Sequence, residues 1–275
     1  MPNDNVQFVE NWEPSDPDDS DGDFIWRYMN FTQIISIFEN QSIWFSRLDQ
    51  FQDPYEGTLP EKVEESFEEH YTPIDGSDPQ GEIQAMLLGM GSFRYLTYAN
   101  CWHINQHESA AMWELYRTVG KETAIRTTVS QLKDAVEDNN QDITFGKVRY
   151  VDYDEIEVFP ILNGYAPSFH KRSSFSHENE YRAVFIDTSQ AVTGDLLDAV
   201  TSFPTEADPG QSISVNIDQL IESIWISPTA PNWIEELLRQ VLDTYELDIP
   251  IKPSNIDRDP DTVTKQAFEQ YGEKY

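Results

Sequence analysis

The segment from His170 to Arg182 holds two histidines, three cations (Lys171, Arg172 and Arg182) and two carboxylates, Glu178 and Glu180. No other stretch of the chain gathers so many groups able to bind or move a proton. On a strand, Glu178 and Glu180 project to one side two residues apart, with Arg182 in line behind them. Such a row can pair an acid–base carboxylate with a cation that orients it. The plainer reading is an Arg–Glu ladder on an exposed sheet face, where ion pairs are common and weak.

A second cluster is Trp26-Arg27-Tyr28, in which a cation flanked by aromatics can hold an anionic ligand while the rings stack on a planar group. Its alternative is an Arg27 paired with one of many acids, with both rings in the core. Arg47 repeats the theme more weakly after Trp44-Phe45-Ser46, and Tyr116, Arg117 and Lys121 can reach a cleft edge. Asp53, Pro54 and Glu56 sit in turn chemistry that either shapes a loop or closes over a ligand. His103 and His107 have helical metal-ligand spacing, but no Glu follows His103, so no metal site is assigned. Cys101 beside Trp102 reads as a small buried residue, since no basic neighbour lowers its pKa. The chain has no phosphate-binding Walker loop, no dinucleotide glycine fingerprint and no nucleophile elbow.

Composition sets the environment in which these residues work. Lys and Arg number 18 against 50 Asp and Glu, for a formal net charge of -32. Self-repulsion of this size weakens a compact fold in dilute buffer, whereas molar salt shortens the Debye length to about 3 Å. A hydrophobic share of 39% with 13% aromatics supplies more buriable surface than a disordered chain carries. Together these imply a folded halophilic protein whose acidic runs, at 16–23 and 64–69, are solvated. A broad nucleic-acid or anionic-membrane surface is not expected, because the basic footprint it needs is missing. The single Cys101 can form no internal disulfide. Neither a cationic leader with an apolar core nor a membrane-length apolar run is visible, so the expected location is cytoplasmic.

The elements that must position the chemistry follow from periodicity. An acidic arm, disordered or loosely attached, is expected over 1–22, one α+β domain over 23–257, and a polar tail over 258–275. Strands are predicted at 24–28, 43–45, 93–102, 123–129, 145–150, 181–186, 212–217 and 223–226. Helices are predicted at 60–70, 82–90, 109–118 and 132–137, the second following a polar loop at 72–81. A further helix starts after Asn30, with Gln33 completing a capping box and Ile34, Ile35 and Phe38 as its buried stripe. A last amphipathic helix over 233–245 carries Pro231 in its first turn. The mixed order of these elements gives an α+β class, with a mixed or split central sheet flanked by helices.

Taken in order, Trp26-Arg27-Tyr28, Ile43-Trp44-Phe45-Ser46, Phe51-Gln52-Asp53-Pro54-Tyr55-Glu56, Cys101-Trp102, Met112-Trp113-Glu114-Leu115-Tyr116 and Glu178-Asn179-Glu180-Tyr181-Arg182 resemble the family called domain of unknown function 2971, in a haloarchaeal-type form. The resemblance runs over 24–257 and is specific as a set. Its layout is similar to the ADP-ribosyltransferase-like fold. That resemblance implies NAD as substrate, with Arg27 on the pyrophosphate, Tyr28 lining the pocket, and Glu180 with Glu178 assisting attack at the nicotinamide ribose. It places Tyr98 and Tyr116 nearest the transferases' middle Ser or Tyr. The function it implies is an intracellular NAD-using transferase or glycohydrolase linked to phage defence or toxin–antitoxin systems. Two alternatives stand beside it: a non-catalytic nucleotide- or protein-binding module, and a metal-dependent nuclease using Asp53, Glu56, Glu178 and Glu180.

The charge balance yields a direct test. The thermal unfolding midpoint is expected to climb steadily from dilute buffer to molar KCl, and a midpoint indifferent to salt would remove the halophilic reading.

Overall fold

The fold was obtained as a computed structural model that describes residues 7–8, 13–15, 23–72, 78–117, 122–136, 140–156, 158–160, 163–190 and 208–257. Its strands are β1 (Gln7–Phe8), β2 (Phe24–Met29), β3 (Ser42–Arg47), β4 (Thr97–Ile104), β5 (Thr123–Thr128), β6 (Thr144–Lys147) and β7 (Arg149–Val151). They continue with β8 (Val158–Phe159), β9 (His170–Arg172), β10 (Glu180–Ile186), β11 (Gly210–Ser214), β12 (Ser223–Ile226) and β13 (Ile251–Pro253). The helices are α1 (Phe31–Asn40), α2 (Glu61–His70), α3 (Pro79–Ser92), α4 (Ala110–Arg117), α5 (Val129–Val136), α6 (Ile217–Leu220) and α7 (Trp233–Thr244).

Among the described residues, nine strands form one mixed sheet, so the class is α+β with helices on the sheet. Strand β4 is its centre. One edge of β4 pairs with β10 along its whole length, from Glu180 opposite His103 to Ile186 opposite Thr97. The other edge is shared: β3 holds Tyr98 and Ala99, while β2 holds His103 and Ile104. The sheet therefore forks at Asn100, Cys101 and Trp102. The arm of β2 continues through β5 and β12 to β13, and the arm of β3 ends at β11.

Strand alternation sorts the two faces. Ile25, Met29, Phe45, Tyr98, Ile125, Tyr181, Ala183 and Phe185 point to the larger core. Helices α1, α5, α6 and α7 cover it with Ile34, Phe38, Leu132, Leu220, Leu238 and Leu242. On the opposite face Trp26 and Tyr28 meet Met112 and Trp113 of α4. Leu48, Ala99, Phe169 and Val184 form a further cluster. Helices α2 and α3 pack with Ile156, Phe159 and Ala166 in a separate cluster.

Several expectations shift. The stripe of α1 is Ile34, Ile37 and Phe38, because positions three and four apart share a helix face; Ile35 is only half-buried. The strand expected at 93–102 begins at Thr97, since α3 runs on through a 3-10 turn at Phe93–Tyr95 and Thr97 Oγ1 donates to the Phe93 carbonyl. The start of α3 at Pro79 also shortens the loop expected at 72–81, of which 73–77 lie outside the described residues. The strand expected at 145–150 is divided between β6 and β7, and β11 stops at Ser214 where Asn216 caps α6. Pro231 precedes Asn232, the N-cap of α7, rather than lying in the helix. In the acidic arm, β1 pairs in parallel with β8, and Lys147 N–H donates to the Ser15 carbonyl at 2.7 Å, so these pieces are docked rather than disordered. The tail at 258–275 lies outside the described residues.

The capping box forms as predicted: Asn30 Oδ1 accepts from Gln33 N at 2.8 Å, and Gln33 Oε1 accepts from Asn30 N at 3.0 Å. It fixes the turn out of β2, immediately after Arg27 and Tyr28. Asn30→Ala should cost about 1 kcal/mol of global stability, read as a lower denaturant midpoint with unchanged slope.

Candidate functional site

Where the sheet forks, a cleft of about 290 Å³ opens on the β4 face that carries Ala99, Cys101 and His103. A single register row crosses its floor. Trp26 on β2 stands opposite His103 on β4, which stands opposite Glu180 on β10, and all three line the cleft. Cross-strand partners share a face, so these side chains converge by strand geometry alone.

Arg27 starts from the other face of β2, between Ile25 and Met29, and also reaches the cleft. It does so through the fork, where its Nη2 donates to the Trp44 carbonyl at 3.3 Å and its guanidinium lies 5.8 Å from the Trp102 ring centroid. Asn100 Nδ2 donates to the same carbonyl at 2.8 Å and its Oδ1 accepts from Trp102 Nε1 at 2.6 Å, closing the apex of the fork. Arg27 Nη1 is buried with no hydrogen-bond partner. Burial lowers the pKa of this guanidinium.

The cleft is also lined by members of a buried charge cluster. Arg182, fully buried, binds Glu56 through Nη1 at 2.5 Å and Glu180 through Nε at 2.7 Å, and also donates to the Ser168 carbonyl at 2.6 Å. Lys171 Nζ reaches Glu178 at 2.5 Å, Glu180 at 2.8 Å and Glu56 at 3.4 Å. Three carboxyls against two cations balance only if one carboxyl keeps a proton. That one is Glu178: burial, a hydrogen bond with Glu180 and the repulsion of Glu180 raise its pKa to about 7, against the pull of Lys171. Burial also works to raise Glu180, but Arg182, the Glu178 proton and Lys171 outweigh it and hold Glu180 well below the ordinary carboxylate range. Lys171 stays firmly protonated, because Glu180 and Glu56 overcome its burial. Two neighbouring carboxyls with pKa values pushed apart form an acid–base pair.

The route of the chain explains this geometry and corrects one expectation. Glu178 is not on the strand; it ends a 3-10 turn, Ser173–Glu178, and Asn179 then takes a left-handed conformation with φ 40° before β10 begins. That turn lets Glu178 reach Lys171 while remaining 20% exposed, the most accessible carboxyl of the cluster. Lys171 is brought in by β9, paired in parallel with β7. Glu56 comes from the loop after β3, where Asp53 Oδ1 accepts from Tyr55 N–H at 3.0 Å and Gly57 adopts φ 69°.

Other expected residues separate into two groups. Tyr28 and Tyr116 line the cleft with ring centroids 5.8 Å apart; Tyr28 accepts from Ser109 N–H, and burial pushes Tyr116 up to about 12. Asp53 also lines the cleft and binds Arg172 at 2.6 Å. Arg47, by contrast, lies on the core face of β3, held by Asp49 at 2.6 Å, and is not a cleft residue; the strand's alternation puts Ser46 there instead. Tyr98 points into the large core, stacked 5.1 Å from Phe185, so of the two tyrosines expected nearest the middle motif only Tyr116 lines the cleft. Arg117's side chain and all of Lys121 lie outside the described residues. Cys101 is half-buried and lines the cleft, and Arg182 and Lys171 are basic neighbours that the sequence did not place beside it; burial nevertheless raises its thiol against their pull. His103 and His107 do not form a helical pair, since His103 is in β4 and His107 in the bend after it. Among the described residues no group of three or more His, Cys, Asp or Glu is arranged to hold a metal. The nuclease reading also meets an obstacle in the carboxylates themselves, which face Lys171 and Arg182. Among the described residues no helix is long and apolar enough to cross a membrane.

Glu56 and His103 carry little local signal for this site: Glu56 lies in a turn motif that its neighbours explain, and the spacing of His103 to His107 points to a helical pair rather than to a strand row. Comparison with protein-family models, curated proteins and solved structures returns no match.

The raised Glu178 pKa has a signed consequence. Unfolded, its carboxyl loses its proton near 4.5; folded, it keeps it to about 7, so deprotonation between these values destabilises the fold. Glu178→Gln removes this titration while leaving every other group in place. Stability of the wild type relative to the variant should therefore fall as pH rises across that window, measured by denaturant unfolding at several pH values. A constant difference would show that Glu178 holds no extra proton.

Proposed function

We propose that the cleft binds a nicotinamide dinucleotide and breaks the bond between nicotinamide and its ribose. The observation that carries this reading is that Arg27 and Glu180, from strands far apart in sequence, line one cleft at a fork in the sheet. The resemblance to domain of unknown function 2971 and to ADP-ribosyltransferase-like layouts supports the same assignment. A cleft of about 290 Å³ falls just below the usual range of ligand pockets, roughly 300–1,000 Å³, and suits one nucleoside half of the dinucleotide.

The chemistry follows from the charges. As the C1′–N bond breaks, its electron pair passes to the nicotinamide ring and cancels the ring's positive charge. The sugar left behind is an oxocarbenium-like cation, which the fixed negative charge of Glu180 stabilises. Water, or an acceptor hydroxyl in a transferase, then bonds to C1′ and gives its proton to ionised Glu178. Arg27 holds the phosphates, and the Tyr28–Tyr116 pair offers a stacking surface. Such an enzyme, in a cytoplasm of high salt, would suit a role in phage defence or a toxin–antitoxin pair.

A second reading, a binding module without turnover, is favoured by one feature: both oxygens of Glu180 are already engaged by Lys171 and Arg182. The two readings part in one assay. Nicotinamide release from NAD, followed in molar salt, should have a rate that rises with pH through about 7. Glu178→Gln should lower that rate by about 10²–10⁴ without abolishing binding. Binding that is lost in Arg27→Ala with no turnover in any form would select the binding module. A wild type that neither binds nor cleaves NAD would end the proposal.

A further inference from the structure

His103 has no assigned part in the chemistry above, yet it is 7% exposed and stands at the middle of the Trp26–His103–Glu180 row. Its Nδ1 lies 2.7 Å from the Glu178 carbonyl oxygen. A carbonyl only accepts, so Nδ1 carries the proton, and burial, which lowers the pKa of His103, keeps the ring neutral. Nε2 is then a bare acceptor, and it is buried with no hydrogen-bond partner. Arg27 supplies the complementary case in the same cleft: a buried donor, Nη1, equally without a partner.

Native proteins rarely leave such atoms unsatisfied, and an unmatched acceptor and an unmatched cationic donor in one cleft define what would satisfy both. The ligand must present an anion and, a short distance away, a hydroxyl. Both residues line one cleft of about 290 Å³, His103 from the floor row and Arg27 through the fork, so one small ligand can meet both. We propose that His103 is a ligand-recognition residue, its Nε2 accepting a hydrogen bond from a hydroxyl of a phosphorylated sugar whose phosphate is held by Arg27. This rests on the reading of the cleft as a nucleotide site and names the fragment it recognises. The same bond ties recognition to chemistry. The ring that reads the hydroxyl is fixed by the backbone of Glu178, the residue that carries the exchangeable proton.

The probes are ribose 5-phosphate, which has both groups, and methyl phosphate, which has the anion alone. Calorimetric titration of the wild type should show ribose 5-phosphate binding roughly fivefold tighter, the worth of about one hydrogen bond. His103→Phe keeps a ring and removes the acceptor; it should lose that preference while retaining methyl phosphate affinity. His103→Gln, which restores an acceptor, should recover part of the preference, and Arg27→Met should weaken both probes. Should His103→Phe unfold, His103→Leu and the two wild-type titrations still decide the matter. The proposal is overturned if the wild type binds both probes equally or neither, or if a folded variant without an acceptor, His103→Phe or His103→Leu, keeps the full preference. A His103-dependent preference in a protein that leaves NAD intact would sink the glycosidic reading alone.

Discussion

The rest of the site depends on a guanidinium with no access to water. Arg182 is wholly buried, and its charge is tolerable only because Glu56 and Glu180 stand at 2.5 and 2.7 Å and Ser168 adds a carbonyl. Breaking such a group by removing one partner typically costs about 3–5 kcal/mol, since the survivor is left charged and unpaired. The cluster therefore acts as a tie between three separate pieces of chain. Glu56 anchors the loop after β3, Lys171 anchors β9, and Glu180 with Arg182 anchors β10. Its geometry also dictates its protonation. Glu180 is saturated by two cations, so the third carboxyl, Glu178, is the one left to share a proton.

The fork in the sheet turns this tie into a cleft. Strand β4 spends one edge on β10 and divides the other between β2 and β3, and the unpaired stretch between them leaves backbone groups that need partners. Asn100, Arg27 and the Trp44 carbonyl close that gap from the side, so Arg27 is drawn through the sheet to a position its own strand alternation would deny it. A continuous sheet would have kept Arg27 in the apolar core, opposite to Glu180. The fork is thus what puts a cation and a carboxylate of opposite facing into one cavity.

How much of this was readable in the sequence varied with the range of the interaction. The capping box at Asn30 and Gln33, the Met112-Trp113-Tyr116 face and the strands carrying Arg27 and Glu180 are local patterns, and they emerged as expected. The row of Glu180 and Arg182 was also local, since two residues on a strand share a face. Glu178 failed the same rule because Asn179 turns left-handed, a conformation that Asn tolerates but that nothing around it announces. Arg47 resembles Arg27 in type and setting and likewise starts from the core face of its strand; the fork beside β2 lets Arg27 through to the cleft, while Asp49 holds Arg47. Glu56 and His103 depend on pairings across 126 and 77 residues, to Arg182 and Glu180 respectively, which no local spacing encodes.

The acidic surface and the buried cluster answer to salt in different ways, and this reconciles a net charge of -32 with a site built from cations. Repulsion among solvated acids falls away over a Debye length of about 3 Å in molar salt. Ion pairs such as Arg239–Glu235, more than a third exposed on both sides, weaken with it. The Arg182–Glu56 contact is wholly buried, and those of Lys171 and Glu180 are nearly so, so molar salt screens the cluster far less than it screens the surface. A chain can therefore spend nearly all its surface on acids and still keep a cationic wall, provided those cations are buried against carboxylates of their own. Arg27 is the exception that gives the arrangement a use: its buried donor faces no carboxylate among the described residues, and the charge it lacks is one a ligand can bring.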